Sequence, residues 1–146
     1  MQRLNKNNLI SSLLLAALLI IGFFYRIYGL NNNYSFWTDE NHVAIFVRAI
    51  LERGKPILLN GHTTGIYQWL QYWLSSISSK IFGLNEFAIR FPSIIFGVLT
   101  IWAIYLLGKE LFNRNVGLLS AFFITFLKIE ILWSRQSRPY QILQFL

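Results

Sequence analysis

Residues 91–108 read FPSIIFGVLTIWAIYLLG, an uncharged apolar stretch between Arg90 and Lys109. A helix needs about 20 apolar residues to cross the hydrocarbon core of a bilayer, so this stretch predicts a membrane span. Residues 9–25, LISSLLLAALLIIGFFY, form a second uncharged block, and apolar residues continue beyond it. The sequence therefore predicts one span over about residues 9–28 and another over 91–108.

The composition agrees with a membrane protein. Of the 146 residues, 55% are hydrophobic and only 13% are charged, and the mean hydropathy is +0.46. Soluble domains carry about 25% charged residues, so a water-soluble globule is excluded. Disorder is excluded because the chain is too apolar, and a disulfide scaffold is excluded because the chain has no cysteine.

The net charge of +7 has two interpretations, a nucleic-acid partner or membrane-flanking cations. Nucleic-acid-binding proteins usually gather their basic residues on one face. Here the basic residues are scattered singly between apolar blocks, which is typical of charges that flank membrane spans. We therefore expect a lipid bilayer as partner and no nucleic acid.

The first apolar block could also be read as a signal peptide, with Arg3 and Lys6 in its basic leading region. The block is long, ends in bulky aromatic residues, and is not followed by a small-residue cleavage site. These features favour a retained span.

A third span is predicted over 115–133, and a fourth apolar run begins within 140–146. Lys128 and Glu130 lie near the far end of the third span. Charges inside a membrane are often functional, although a lysine at this place could also snorkel to the interface. Because a chain does not normally stop inside a hydrophobic run, we expect an N-terminal fragment of a longer protein.

The loop over 31–90 has a different pattern. Apolar residues at helical spacing predict a helix over about 39–53, with Thr38 as N-cap and Gly54 as its end. A second helix over about 66–84 has one apolar and one polar stripe, which is typical of an interfacial helix, while a polar-lined span remains an alternative. The predicted fold class is all-α, with several transmembrane helices and interfacial amphipathic helices in the first outer loop. We expect a multi-pass cell-membrane protein with a cytoplasmic N-terminus and this loop on the outer face.

The sharpest local feature is the pair Asp39-Glu40 at the start of the first loop helix. Acidic residues stabilise helix N-termini, so the pair could serve only that purpose. Alternatively, one carboxylate could act as a general base at the membrane surface. Together with His42 the pair could also bind a divalent cation, although no further ligand is evident. His62 lies in a predicted loop and is a weaker candidate for acceptor or metal contact.

Cations near the span ends form a second candidate site. Arg135 and Arg138 are three residues apart, so on a helical turn they lie side by side and could grip a phosphate with two guanidinium groups. Ordinary interfacial anchoring is the alternative. Arg90, at the mouth of the second long apolar block, is open to the same two interpretations.

The order of several motifs resembles a known family. These motifs are TDE at 38–40, FGLNEFAIRFPS at 82–93, YLLGKELF at 105–112 and WSRQSRPY at 133–140. The sequence resembles the N-terminal part of the polytopic membrane glycosyltransferases of the C superfamily. The most similar branch uses dolichyl- or undecaprenyl-phosphate sugars and includes protein mannosyltransferases and aminoarabinose transferases.

The resemblance implies an inverting hexosyl- or pentosyltransferase. Such an enzyme moves a sugar from a polyprenyl-phosphate carrier to a protein, lipid or glycan acceptor on the outer face. The resemblance makes Asp39 the catalytic base or the residue that orients the acceptor, with Glu40 as its partner. It makes Arg90, Arg135 and Arg138 contacts of the carrier phosphate. It implies no certain cofactor and leaves a divalent cation open.

The sequence departs from the family pattern at several positions. Gln136 stands where many relatives have Glu, Tyr140 where some have Asp, and Thr63-Thr64 follow His62 where relatives often have two prolines. Relatives have about a dozen spans, so the fragment alone is expected to be inactive. The alternative function is a non-enzymatic multi-span membrane protein, such as a transporter or an assembly subunit. A transporter should show broken or polar spans.

Overall fold

The computed structural model describes residues 6–30, 37–58, 60, 61, 63 and 68–146. These residues form seven helices, and apart from one isolated bridge between Ile57 and Thr63 they contain no β-structure. The helices are α1 Lys6–Ile27, α2 Thr38–Arg53, α3 Trp69–Phe82, α4 Glu86–Leu111, α5 Arg114–Phe126, α6 Lys128–Ser134 and α7 Tyr140–Phe145. The predicted all-α membrane fold is confirmed.

Two helices in the described part of the chain are long and apolar enough to cross a membrane. They are α4 and the Asn8–Ile27 part of α1. The segment predicted as a single third span, 115–133, is divided into α5 and α6, which meet at 63°. Leu127, with φ −65° and ψ 113°, is the one extended residue at the break. The number of spans is therefore two, or three if α5 and α6 together form one.

Asparagine side chains cap the N-termini of α4 and α5. The Asn85 side chain accepts a hydrogen bond from the Ala88 N–H at the start of α4, with a length of 2.9 Å. The Asn113 side chain accepts from the Val116 N–H at the start of α5, at 3.0 Å. Each cap satisfies one of the free N–H groups of a helix N-terminus. The two caps fix where each helix begins after its turn.

Helix α4 is the centre of the fold, because it packs against each of the six other helices. Its approach to α5 is very close. A Cβ atom added to Gly108 would lie 2.9 Å from the Gly117 Cα. Two glycines therefore face each other where α4 and α5 cross, as is common for helices packed within a membrane.

Helix α3 has its polar side inward and its apolar side outward. Five buried residues on it are polar, namely Gln71, Ser75, Ser76, Ser78 and Ser79, while Trp73, Ile77 and Ile81 are exposed. A surface helix of a soluble protein has the opposite arrangement. The exposed face of α3 is therefore suited to lipid, and its polar face packs toward α2 and α4.

The glycine contact between α4 and α5 gives a first prediction. Gly117→Ala is expected to lower the free energy of unfolding by about 1–3 kcal/mol, as overpacking does. The reason is that the new Cβ would lie 2.5 Å from the Tyr105 carbonyl oxygen and 2.9 Å from the Lys109 nitrogen, both backbone atoms. Thermal unfolding in detergent measures the effect.

This prediction is tested by the sign of the change in the free energy of unfolding. Alanine has a helix propensity about 1 kcal/mol better than glycine, so with free space around it the substitution would stabilise the protein. Ser12→Ala, at an exposed position of α1, is the control and is expected to stay within about 0.5 kcal/mol of the original. A more stable Gly117→Ala protein would contradict the close approach.

Candidate functional site

The site begins at the N-terminus of α2. The residue in the N-cap position is Trp37, not Thr38 as predicted, because the helix itself starts at Thr38. Glu40, the third residue of α2, turns back and accepts a hydrogen bond from the Trp37 N–H at 3.2 Å. A glutamate at this position commonly satisfies that N–H group. The capping role that the sequence left open between the two acids is therefore filled by Glu40.

Glu40 is also the centre of a buried ion pair with Arg90. The Arg90 Nε and Nη2 atoms donate to the two carboxylate oxygens of Glu40 at 2.8 and 2.9 Å. The exposed fraction of the side chain is 4% for Arg90 and 0% for Glu40. Such forked pairs are strong and geometrically specific. The pair fixes the start of α2 to the first turns of α4.

A third segment joins this ion pair from the far end of the chain. The Ser137 backbone N–H donates to Glu40 Oε1 at 2.8 Å, and Ser137 follows α6 by three residues. Glu86 adds a weaker contact to Arg90 at 3.4 Å. One carboxylate thus ties together α2, α4 and the α6–α7 connection.

The environment of Glu40 lowers the pKa of its carboxyl group. Burial alone raises this pKa, because it disfavours the charged form. The hydrogen bond from Arg90, the bond from the Ser137 N–H, the positive charge of Arg90 and the Trp37 N–H together outweigh burial. Glu40 is therefore held as a carboxylate and is fully engaged by its partners.

Asp39, its neighbour in sequence, has a different environment. Its side chain is 61% exposed and its Oδ2 atom lies 3.0 Å from Arg138 Nη2. The Arg138 guanidinium also lies over the rings of Trp133 and Tyr140, at 5.3 and 6.0 Å from their centroids. The two acids therefore differ in environment: Glu40 is enclosed in the structure, whereas Asp39 faces outward beside a cation.

A cavity of about 350 Å³ adjoins the ion pair. Its polar wall is formed by Glu40, Arg90, Lys128, Arg135 and Gln136. The wall carries three basic side chains and one acidic side chain, so it favours an anion. The Gln136 Oε1 atom is buried and accepts no hydrogen bond from the described residues, so a ligand with a donor group would satisfy it.

A buried polar network supports the site from behind. Gln71 Nε2 of α3 donates to the hydroxyl groups of Ser75 and Ser137, both at 3.0 Å. Ser75 in turn donates to the Ile89 carbonyl oxygen at 2.8 Å, one residue before Arg90. Because Ser137 also binds Glu40, the inward polar side of α3 connects directly to the ion pair.

Comparison with known proteins places this geometry in a family. The family model of dolichyl-phosphate-mannose-protein mannosyltransferases matches residues 69–145, from α3 to α7. The chain belongs to this family of membrane glycosyltransferases. No solved structure matches the chain.

Curated relatives of the chain include two arabinosyl transferases. The undecaprenyl phosphate-alpha-4-amino-4-deoxy-L-arabinose arabinosyl transferase of Yersinia enterocolitica is 35% identical over 113 residues, which are 73% of this chain and 20% of that protein. The corresponding transferase 2 of Proteus mirabilis is 30% identical over 122 residues, 80% of this chain and 21% of that protein. An uncharacterized protein of Aquifex aeolicus is 30% identical over 130 residues, 87% of this chain and 25% of that protein. The chain thus spans a quarter or less of these relatives.

The structure brings together most of the residues predicted for the site. Glu40, Arg90 and Arg135 lie on the cavity wall, and Asp39 and Arg138 pair with each other. Arg90 has Glu40 and Glu86 as partners within its reach, so it acts on the cavity as part of an ion pair.

Of the two histidines predicted as weak candidates, His42 lies among the described residues and does not line the cavity. His42 is exposed on α2, and His62 lies outside the described residues. No cluster of three or more His, Cys, Asp or Glu side chains suited to a metal occurs in the part of the chain that the structure describes.

Sequence reasoning did not assign two contributors to the site. Lys128 was noted only as a charge near the end of the third predicted span, and Gln71 was not singled out within the polar stripe of the helix predicted over 66–84. That polar stripe was a visible signal, but the Ser137 partner of Gln71 lies 66 residues away in sequence, so the stripe did not say what the side chain contacts.

Proposed function

We propose that the protein transfers a sugar from a polyprenyl-phosphate carrier to an acceptor at the outer face of the membrane. The observation that carries this proposal is the cationic cavity beside the N-terminus of α2, whose wall includes Lys128 and Arg135. The names of the two arabinosyl transferases, which specify an undecaprenyl phosphate sugar, support a carrier of this kind.

In this proposal the cavity receives the carrier phosphate. As the sugar leaves, negative charge develops on the phosphate oxygens, and preorganised cations stabilise that charge. Lys128 contributes a mobile ammonium group and Arg135 a planar guanidinium. The acceptor is a protein, lipid or glycan hydroxyl or amine, and the transferred group is a hexose or pentose.

Asp39 is the proposed base. It is exposed and follows Trp37 by two residues, and Trp37 belongs to the cavity wall. A base placed there takes the proton of the acceptor as the acceptor attacks the anomeric carbon, which inverts the configuration of the sugar. Glu40 has a supporting role, because its lowered pKa and its three partner groups make it a fixed anion rather than a proton acceptor.

The membrane arrangement follows from the same proposal. The N-terminus lies in the cytoplasm, and the loop that carries Asp39 lies on the outer face. The exposed apolar face of α3 lies in the bilayer interface, where a lipid-linked substrate is presented.

Substituting the cationic residues of the cavity tests whether the cavity binds the carrier phosphate. Lys128→Gln and Arg135→Gln are each expected to raise the KM for undecaprenyl-phosphate sugar about tenfold, since a charged hydrogen bond contributes about 1.5–3 kcal/mol. The measurement is steady-state transfer by the full-length protein in detergent. Arg48→Gln is the matched control, because the exposed Arg48 pairs with Glu52 on α2 away from the cavity. An unchanged KM in both cavity variants would contradict the proposal that the cavity binds the carrier phosphate.

The break between α5 and α6 favours one alternative function, a transporter, because transporters use interrupted helices near their binding sites. The detergent assay separates the two functions. Sugar transfer without sealed compartments identifies a transferase. Flux that occurs only across vesicle membranes, without transfer in detergent, would identify a transporter.

A further inference from the structure

Arg26 is a fully buried arginine within the first membrane span. Its exposed fraction is 0%, and it lies in the last turn of α1. A fully buried charged side chain is costly unless other groups pair with it. The contacts of Arg26 therefore indicate its structural role.

The guanidinium of Arg26 reaches both sides of the break at Leu127. Its Nη2 atom donates to the Ile124 carbonyl oxygen in the last turn of α5 at 3.4 Å, and its Nε atom donates to the Ser134 hydroxyl at the end of α6 at 3.0 Å. Its Nη1 atom donates to the Gly22 carbonyl oxygen of α1 itself at 3.1 Å. One side chain thus connects α1, α5 and α6.

These contacts replace hydrogen bonds that a helix loses where it is broken in lipid. Carbonyl groups in the last turn of a helix lose their intrahelical donors, and lipid offers no replacement. Arg26 supplies a donor to the Ile124 carbonyl of α5. The Ser134 hydroxyl completes the link by donating to the Glu130 carbonyl oxygen one turn earlier at 2.5 Å.

The neighbouring helices leave room for this arrangement. A Cβ atom on Gly97 of α4 would lie 3.0 Å from Arg26 Nε and 2.8 Å from the Ser134 Cβ. Any larger residue at position 97 would therefore separate Arg26 from Ser134. The carboxylate of Glu130 adds a favourable charge interaction with the guanidinium.

Two cationic residues of the cavity wall lie at the two ends of α6, directly after the break at Leu127. Lys128 is the first residue after Leu127, and Arg135 directly follows α6. Arg135 Nη1 also lies 3.5 Å from the carbonyl oxygen of Tyr25, the residue before Arg26. The orientation of α6 relative to α1 therefore determines where both side chains meet the cavity.

We propose that Arg26 is a positioning residue that holds the α5–α6 break and thereby sets Lys128 and Arg135 on the cavity wall. Arg26 itself is not a cavity residue. Its effect on the carrier rests on the proposed function, whereas its effect on the break does not.

The first experiment measures the bend directly. The chain has no cysteine, so spin labels on Leu119→Cys in α5 and Leu132→Cys in α6, both exposed positions, report one interhelical distance. Arg26→Gln is expected to broaden the distance distribution and shift it to longer values, because α6 loses its link to α1. Arg48→Gln, the surface control, is expected to leave the distribution as in the unsubstituted protein. The same distribution in Arg26→Gln as in the control would overturn the proposal.

Ser134→Ala keeps the arginine and removes one of its partners, so it decides the matter if Arg26→Gln does not fold. A smaller shift in the same direction is expected for Ser134→Ala. An unchanged distance in this variant, with Arg26→Gln unfolded, would reduce Arg26 to a folding requirement and overturn its positioning role.

The second experiment measures the consequence for the carrier. In the full-length protein, Arg26→Gln is expected to raise the KM for undecaprenyl-phosphate sugar about tenfold, equivalent to 1.4 kcal/mol, with kcat changed less than about threefold. Equal losses in kcat and in folded protein would contradict positioning. If the unsubstituted protein transfers no sugar, the proposed function fails, and the spin-label distances still decide the role of Arg26.

Discussion

Asp39→Asn is expected to reduce kcat for sugar transfer by about a hundredfold or more, because general base catalysis contributes about 10²–10⁴ to a rate. Asparagine has nearly the same size and keeps a hydrogen-bond acceptor for Arg138, but it cannot take a proton at neutral pH. The measurement is single-turnover transfer to the acceptor, with the carrier sugar saturating so that binding does not limit the rate.

Folding is expected to be little affected by this substitution. The carboxylate of Asp39 is 61% exposed and forms an ion pair with Arg138 at 3.0 Å. Exposed pairs contribute about 0–1 kcal/mol to stability. The capping function at this helix end is performed by Glu40, so losing the charge of Asp39 leaves that hydrogen bond in place.

Two further variants separate the base from its surroundings. Glu52→Gln removes another exposed carboxylate from α2, paired with Arg48, and is expected to leave transfer unchanged. Arg138→Gln removes the partner of Asp39 but keeps the base, so a smaller loss than in Asp39→Asn is expected. Full transfer by Asp39→Asn would remove the catalytic assignment, and a loss of folded protein equal to the loss of rate would give Asp39 a structural role.

The roles of the two acids illustrate what sequence could and could not predict. Asp39 and Glu40 are adjacent, and both read as acids in the first turn of a helix. Helical geometry points adjacent side chains in different directions, but which direction is buried depends on where α4 and residues 135–139 pack. Only that packing, 50 and 97 residues away in sequence, identifies Glu40 as the enclosed partner of Arg90.

The long helices were easier to predict than the break between α5 and α6. A long uncharged run must be helical in lipid because no other single segment satisfies its backbone, so composition alone indicates α1 and α4. At Leu127 no glycine or proline marks a break. Its stabilising groups come from α1, through Arg26, at sequence separations of 98 and 108 residues, and local patterns contain no information about them.

Arg90→Gln is expected to lower the free energy of unfolding by about 3–5 kcal/mol, the range seen when one member of a buried ion pair is removed. The carboxylate of Glu40 would then remain buried without its guanidinium partner, with the Trp37 and Ser137 N–H groups as its donors among the described residues. Thermal unfolding in detergent is the measurement. Glu86→Gln is the matched control, since Glu86 is a 42% exposed carboxylate at 3.4 Å from the same guanidinium, and it is expected to cost less than about 1 kcal/mol.

A pH dependence is expected from this ion pair. In the unsubstituted protein the folded-state pKa of Glu40 is lowered, so its stabilisation is fully present above the ordinary carboxyl pKa of about 4.3 and is lost as the pH falls through the lowered value. Arg90→Gln removes the hydrogen bond and the positive charge that lower this pKa, while burial and the two N–H bonds remain, so the pKa of Glu40 is expected to be higher than in the unsubstituted protein. The stability advantage of the unsubstituted protein over the variant should therefore grow as the pH rises through this range. Parallel pH profiles in the two proteins would show that Arg90 does not determine the ionisation of Glu40.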